Sequence, residues 1–130
     1  MIVLVDYNLT GYVVLFRGTL AAEGWLDLLS IRFVTLKEAG LATNASDRII
    51  WQFAQAKRML LLTANRNAKG EDSLEQTIRE DSTSTSLPVI TIGNLDRLVE
   101  REYRERCSAR LADIVLSIDN YLGVSRLFIP

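Results

Sequence analysis

Histidine is absent from the 130 residues, cysteine occurs once and proline twice. Without histidine there is no Ser-His-Asp or Cys-His nucleophile, no histidine acid–base step and little basis for a catalytic zinc site. A lone cysteine, Cys107, allows neither an internal disulfide nor a thiolate zinc cage. Acyl transfer lacks support as well, because no GxSxG elbow occurs. Charge of one sign is also missing: 15 basic residues face 16 acidic ones. No global field therefore draws the chain to nucleic acid or to a membrane, and any such contact must come from a local patch. No apolar run approaches the ~20 residues of a membrane span. The opening "MIVLVDYNL" is apolar but has no basic leader and is interrupted by Asp6, so the expected location is the cytoplasm.

What remains for chemistry is carboxylates, amides, hydroxyls, Lys and Arg, together with a hard metal ion. At 48% hydrophobic residues the chain can bury a real core, and one domain over 1–130 is the expectation. Residues 2–5, Ile-Val-Leu-Val, predict a strand buried on both faces. Val13, Val14, Phe16, Leu20 and Ala21 recur at helical spacing, with Gly24 as the stop. "IRFVTL", 31–36, alternates like a second strand. A helix capped by Ser46 comes next, with Ile49, Ile50, Phe53 and Ala54 as its buried stripe. "MLLLT", 59–63, predicts the third strand and 73–80 a short helix. The fourth strand falls at 87–93, with Pro88 near its start. A long helix over about 94–121 and an edge strand at 126–129 complete the chain. Strands alternating with helices predict an α/β fold with a mostly parallel sheet of four to five strands, flanked by helices.

In such a sheet ligands sit beyond the carboxyl ends of the strands. Asp6 and Asn8 come after the first strand, Asp47 opens the helix before the third, and Thr63, Asn65 and Asn67 come at the end of the third.

"LVDYNL" resembles the "LLDENL" opening of small PIN-like proteins of the Mut7-C-like or DUF5615 branch. "SDRIIWQFAQAKRMLLLTANRN" is similar to that branch's "SDEEILALAREEGRVLVTRDKDF" segment, with the same helix, strand and polar-loop order. The likeness covers residues 1–67 and extends beyond them only in architecture. It implies a three-layer PIN-like fold and Mg²⁺- or Mn²⁺-dependent hydrolysis of single-stranded RNA, often as the toxin of a toxin–antitoxin pair with a protein antitoxin as partner. Carried over by position, Asp6, Asp47 and Asn65 are the catalytic candidates and Thr63 a substrate contact; Arg66 and Lys69 join the substrate contacts as side chains able to grip a phosphate. Asp6, Asn8, Asp47, Asn65, Asn67 and Asp72 are the candidate metal ligands. Asn65 and Asn67 stand where many members have Asp. An amide oxygen can coordinate but brings no charge, so Glu71 or Asp72 would have to fold back and complete the shell.

Each of these residues also has a plainer reading. Asp6 can end a strand and cap the helix that starts near Thr10, and Asp47 suits the positive end of its helix with or without a metal. Asp72 with Glu75, or Ser73 with Gln76, has the spacing of a capping pair. Asn65 and Asn67 suit turn geometry, and Arg66, Lys69 and Arg17 suit solvent. The chain therefore has three functional readings: a PIN-like ribonuclease, a degenerate PIN-like module that binds nucleic acid or protein without hydrolysis, and a homo-oligomeric structural protein. The apolar stripe winding around the long helix favours a homodimer.

Overall fold

A computed structural model describes residues 1–65, 70 and 72–130. Five strands, β1 (Ile2–Val5), β2 (Arg32–Thr35), β3 (Leu60–Thr63), β4 (Val89–Ile92) and β5 (Arg126–Ile129), form one sheet in the order β2-β1-β3-β4-β5. Every pairing is parallel. Parallel strands need crossovers that cover both faces, which explains why the inner strands β1, β3 and β4 read as nearly continuous apolar runs. The result is a three-layer α/β fold, the architecture that the resemblance implies.

The helices divide between the faces. Phe16 and Leu20 of α1 (Val13–Ala22) and Leu111 and Ile114 of α5 (Arg101–Leu116) pack with Val3, Val5, Leu60, Leu62, Ile90 and Ile92. A short α2 (Trp25–Leu28) succeeds α1 after Gly24, whose φ of 81° is a left-handed turn conformation that favours glycine. On the opposite face, Ile50, Trp51 and Ala54 of α3 (Asp47–Ala56) and Leu74 and Ile78 of α4 (Leu74–Asp81) pack on Leu4, Leu61 and Val89. Among the described residues no helix is long and apolar enough to cross a membrane.

Several sequence expectations shift in detail. The first helix is preceded by a 3-10 turn, Tyr7–Tyr12, and Val14 and Ala21 lie exposed on its outer side. Ile49 is 52% exposed, and Trp51 takes its place in the buried stripe of α3. The stripe is then 47, 50, 51, 54, which is one face of a helix and puts Asp47 one turn above Ile50 and Trp51. The continuous helix over 94–121 does not form. A 3-10 turn (Leu95–Val99), α5 and a second 3-10 turn (Ile118–Tyr121) replace it, with Glu100 extended at the first break. Glu100 leaves the helical region, so the residues on its two sides no longer share one stripe. The break resets the phase: Tyr103 is buried, Val99 is exposed, and the Tyr103 hydroxyl accepts from Asn94 N at 2.9 Å.

Of the i,i+4 ion pairs that the spacing allows on this segment, Arg101–Glu105 forms at 2.8 Å. Glu100 instead pairs with Arg97, and Arg104 donates to Thr19 Oγ1 and to the Leu98 and Val99 carbonyls. Cys107 is fully buried, as expected of a core residue, and burial pushes its thiol up to about 11.

Candidate functional site at the carboxyl ends of the strands

The site is built on the face of the sheet that carries α3 and α4. Side chains alternate along a strand, and parallel register keeps paired residues on one side. Leu4, Leu61 and Val89 therefore lead towards Asp6, Thr63 and Thr91 at the carboxyl edge. In this strand order the chain reverses direction across the sheet between β1 and β3, and the crevice beyond that switch point is where open α/β sheets bind ligands.

Asp6 stands directly after β1, with its N–H donating to the Leu62 carbonyl of β3 at 2.9 Å. One carboxylate oxygen accepts from the Tyr7 N–H at 2.8 Å and so caps the 3-10 turn; the other accepts from Thr63 Oγ1 at 2.7 Å. Thr63 is fully buried, and its hydroxyl in turn accepts from the Asn65 N–H at 2.9 Å. The Asn65 side-chain amide then donates to Asp47 Oδ2 at 2.9 Å. That same oxygen accepts from the Leu74 N–H at 3.0 Å, so Asp47 satisfies one open donor at the start of α4. Ser46 holds Asp47 in position by capping α3, accepting from the Ile49 N–H at 3.3 Å.

Four sequence candidates thus share one hydrogen-bonded run: Asp6, Thr63, Asn65 and Asp47. The plainer roles of the two acids and their membership of the cleft coexist, because each caps a segment while lying half-buried at the sheet edge. Asn8 is exposed in the 3-10 turn. The Asp72 carboxylate lies against Arg48 Nε at 3.0 Å, away from the run, and Arg48 also binds Glu80 at 2.7 Å and Asp81 at 2.8 Å. Glu80 first, then Asp72 and Asp81, hold the Arg48 guanidinium well above its ordinary pKa. Of the two capping pairs, Ser73 with Gln76 forms: Ser73 Oγ accepts from the Gln76 N–H at 3.2 Å. Arg66, Asn67, Lys69 and Glu71 lie outside the described residues.

Arg126 is a component that sequence reasoning missed. Its side chain, only 9% exposed, donates to the Asn65 carbonyl at 2.7 Å and to Thr91 Oγ1 at 2.9 Å, with Glu75 3.4 Å away. It ties the backbone just after β3 to β4 and α4. Two signals point to it: an arginine opening the strand "RLFI", and a threonine inside the otherwise apolar "VITI". Neither names a partner without the sheet order.

Two carboxylates, an amide and a hydroxyl make an oxygen-rich corner suited to a hard cation. Mg²⁺ keeps several waters and is commonly held by only one or two carboxylates with substrate phosphates, so the donor types of Asp6 and Asp47 are those that such an ion takes. Among the described residues no group of three or more acidic, Cys or His side chains gathers as a metal cage.

Replacing Thr63 with Val removes the hydroxyl at nearly constant volume. It leaves Asp6 Oδ2 and the Asn65 N–H each short of a partner, and the expected loss from that pair of broken bonds is ~1–3 kcal/mol. A denaturant midpoint identical to the parent's would show that the hydroxyl does not bind the corner together.

Comparison with protein-family models, with curated proteins and with solved structures found no match to this chain.

Proposed function

We propose that the protein is a PIN-like, metal-dependent endoribonuclease of the cytoplasm that cuts single-stranded RNA, with a toxin-like role and a protein antitoxin as partner. The observation that supports this reading best is the run Asp6–Thr63–Asn65–Asp47, which gathers two acids distant in sequence at the switch point of the sheet. Asp6 and Asp47 would hold Mg²⁺ or Mn²⁺, and Asn65 would add its amide. When bound, such an ion polarises the phosphoryl group and lowers the pKa of an attacking water. The chain's own work is to orient the two carboxylates through Thr63 and Asn65, and to keep Asn65 in place through Arg126. The test is cleavage of a single-stranded RNA by protein stripped with EDTA and then resupplied with Mn²⁺ or Mg²⁺. Activity should vanish with the chelator and return with the ion; cleavage indifferent to both would remove the mechanism.

A second reading, a PIN-like module that binds without hydrolysis, draws on one particular contact. Asn65 donates its amide to Asp47 where a third acid would have added negative charge. On that reading the resupplied ion restores no cleavage, while RNA or partner binding persists.

A further inference from the structure

Beside Asp6 the carboxyl edge carries a second feature that the hydrogen-bonded run does not use. A cavity of about 150 Å³ opens between the ends of β1 and β2, lined by Tyr7, Thr10, Thr35, Leu36, Lys37 and Thr43. Along the chain, Tyr7 is the residue after Asp6, and Thr43 stands four residues before Asp47. At roughly 30 Å³ per water the space takes about five waters, too large for an ion and too small for a whole drug-sized ligand. One planar ring is the right scale.

Its lining has a matching chemistry. Tyr7 is 62% exposed, an aromatic ring left uncovered at the mouth of a largely apolar cavity. Leu36, 2% exposed, supplies an apolar floor. Lys37 is exposed and enters no ion pair among the described residues. The neighbouring Glu38 is turned back on the strand end. Its carboxylate accepts from the Thr35 N–H and hydroxyl at 3.2 and 3.0 Å, which holds it charged below the usual carboxylate range. The Thr10 and Thr43 hydroxyls make no hydrogen bond among the described residues, but the cavity wall itself is almost wholly apolar. A stacking face over an apolar floor, with one cation beside it, matches the base and phosphate of a single unpaired nucleotide: base on Tyr7, phosphate to Lys37 outside the cavity.

We infer that this cavity is a subsite for one unpaired nucleotide of RNA, seated next to the bond that the Asp6–Asp47 corner would cut. The subsite takes its ligand class from the ribonuclease reading and rests on it to that extent. Tyr7 contributes its backbone N–H to the Asp6 cap, so loss of the ring leaves that cap intact. A duplex, whose bases are stacked on one another, offers the ring no free base face.

The experiment measures binding of a fluorescein-labelled single-stranded octauridylate and of an RNA duplex by anisotropy in EDTA, where no cleavage intervenes. Tyr7→Ala should weaken single-strand binding roughly tenfold, Tyr7→Phe should restore it, and Lys37→Ala should lower the slope of log affinity against log salt by about 1. Thermal midpoints of the three variants should equal the parent's, since both side chains are exposed. Unchanged single-strand binding by Tyr7→Ala, equal binding of duplex, or no binding of octauridylate by the parent overturns the subsite. The two proposals can fail separately. Tyr7-dependent binding without metal-dependent cleavage keeps the subsite and removes the nuclease. Metal-dependent cleavage with an unchanged KM in Tyr7→Ala does the reverse.

Discussion

Asp6→Asn is expected to lower metal-dependent RNA cleavage at least ~100-fold while leaving the fold intact. The bound rests on a comparison of roles: even partners that only orient a metal ligand cost ~10–100-fold when removed, and Asp6 would be a ligand itself. The substitution isolates charge from structure. Asn is as good a cap as Asp: with its carbonyl towards the Tyr7 N–H the cap is kept, and its amide N–H then faces Thr63 Oγ1, which turns from donor to acceptor. What disappears is one of the two negative charges facing the cleft. A variant that cleaves RNA at the parent's rate, with an unchanged circular dichroism spectrum, would show that Asp6 is a strand cap and nothing more.

The second large effect concerns stability. Leu4→Ala removes a fully buried side chain from the layer between the sheet and α3/α4, where it packs in one cluster with Ile50, Trp51, Leu61 and Leu74. Leucine-to-alanine changes in such cores cost ~2–5 kcal/mol, transfer and cavity together. Total stability for a domain of this size is only about 5–15 kcal/mol, so a fall in thermal midpoint of roughly 10–20 °C is expected. The position ties packing to the site. Asp47 rides on the face of α3 that also carries Ile50 and Trp51, and a loosened α3 would carry the carboxylate away from Asn65. A midpoint within about 2 °C of the parent's would mean that the cavity collapses at little cost and that α3 is positioned by other contacts.

Legibility in the sequence tracks the range of the interaction. Ser46 and Ser73 both cap helices where their spacing indicates, because a cap is settled within four residues. The three inner strands are marked by short apolar runs, and buried parallel strands leave that trace plainly, while the edge strand β2 shows in alternation. Helical phase puts Val99 and Ile49 in buried stripes, yet both lie exposed. Phase alone does not say where a helix breaks or which side meets the sheet. The site candidates divide along the same line. Asp6 and Thr63 can be placed at strand ends by counting, whereas Arg126 gives no local sign of reaching the Asn65 carbonyl.

By itself, then, the sequence determined the five strands and the helices at 13–22, 47–56 and 74–81, the lack of histidine, and a set of oxygen-bearing side chains at strand ends. Only the tertiary structure decided that β1 lies between β2 and β3, and therefore that Asp6 meets Thr63. It also decided that Asp72 turns to Arg48, and that Arg126 from β5 braces the far side of the corner. Periodicity and capping are local energies, written within a few residues. The order of parallel strands is set by crossovers and by two separate hydrophobic layers, so it depends on every element at once.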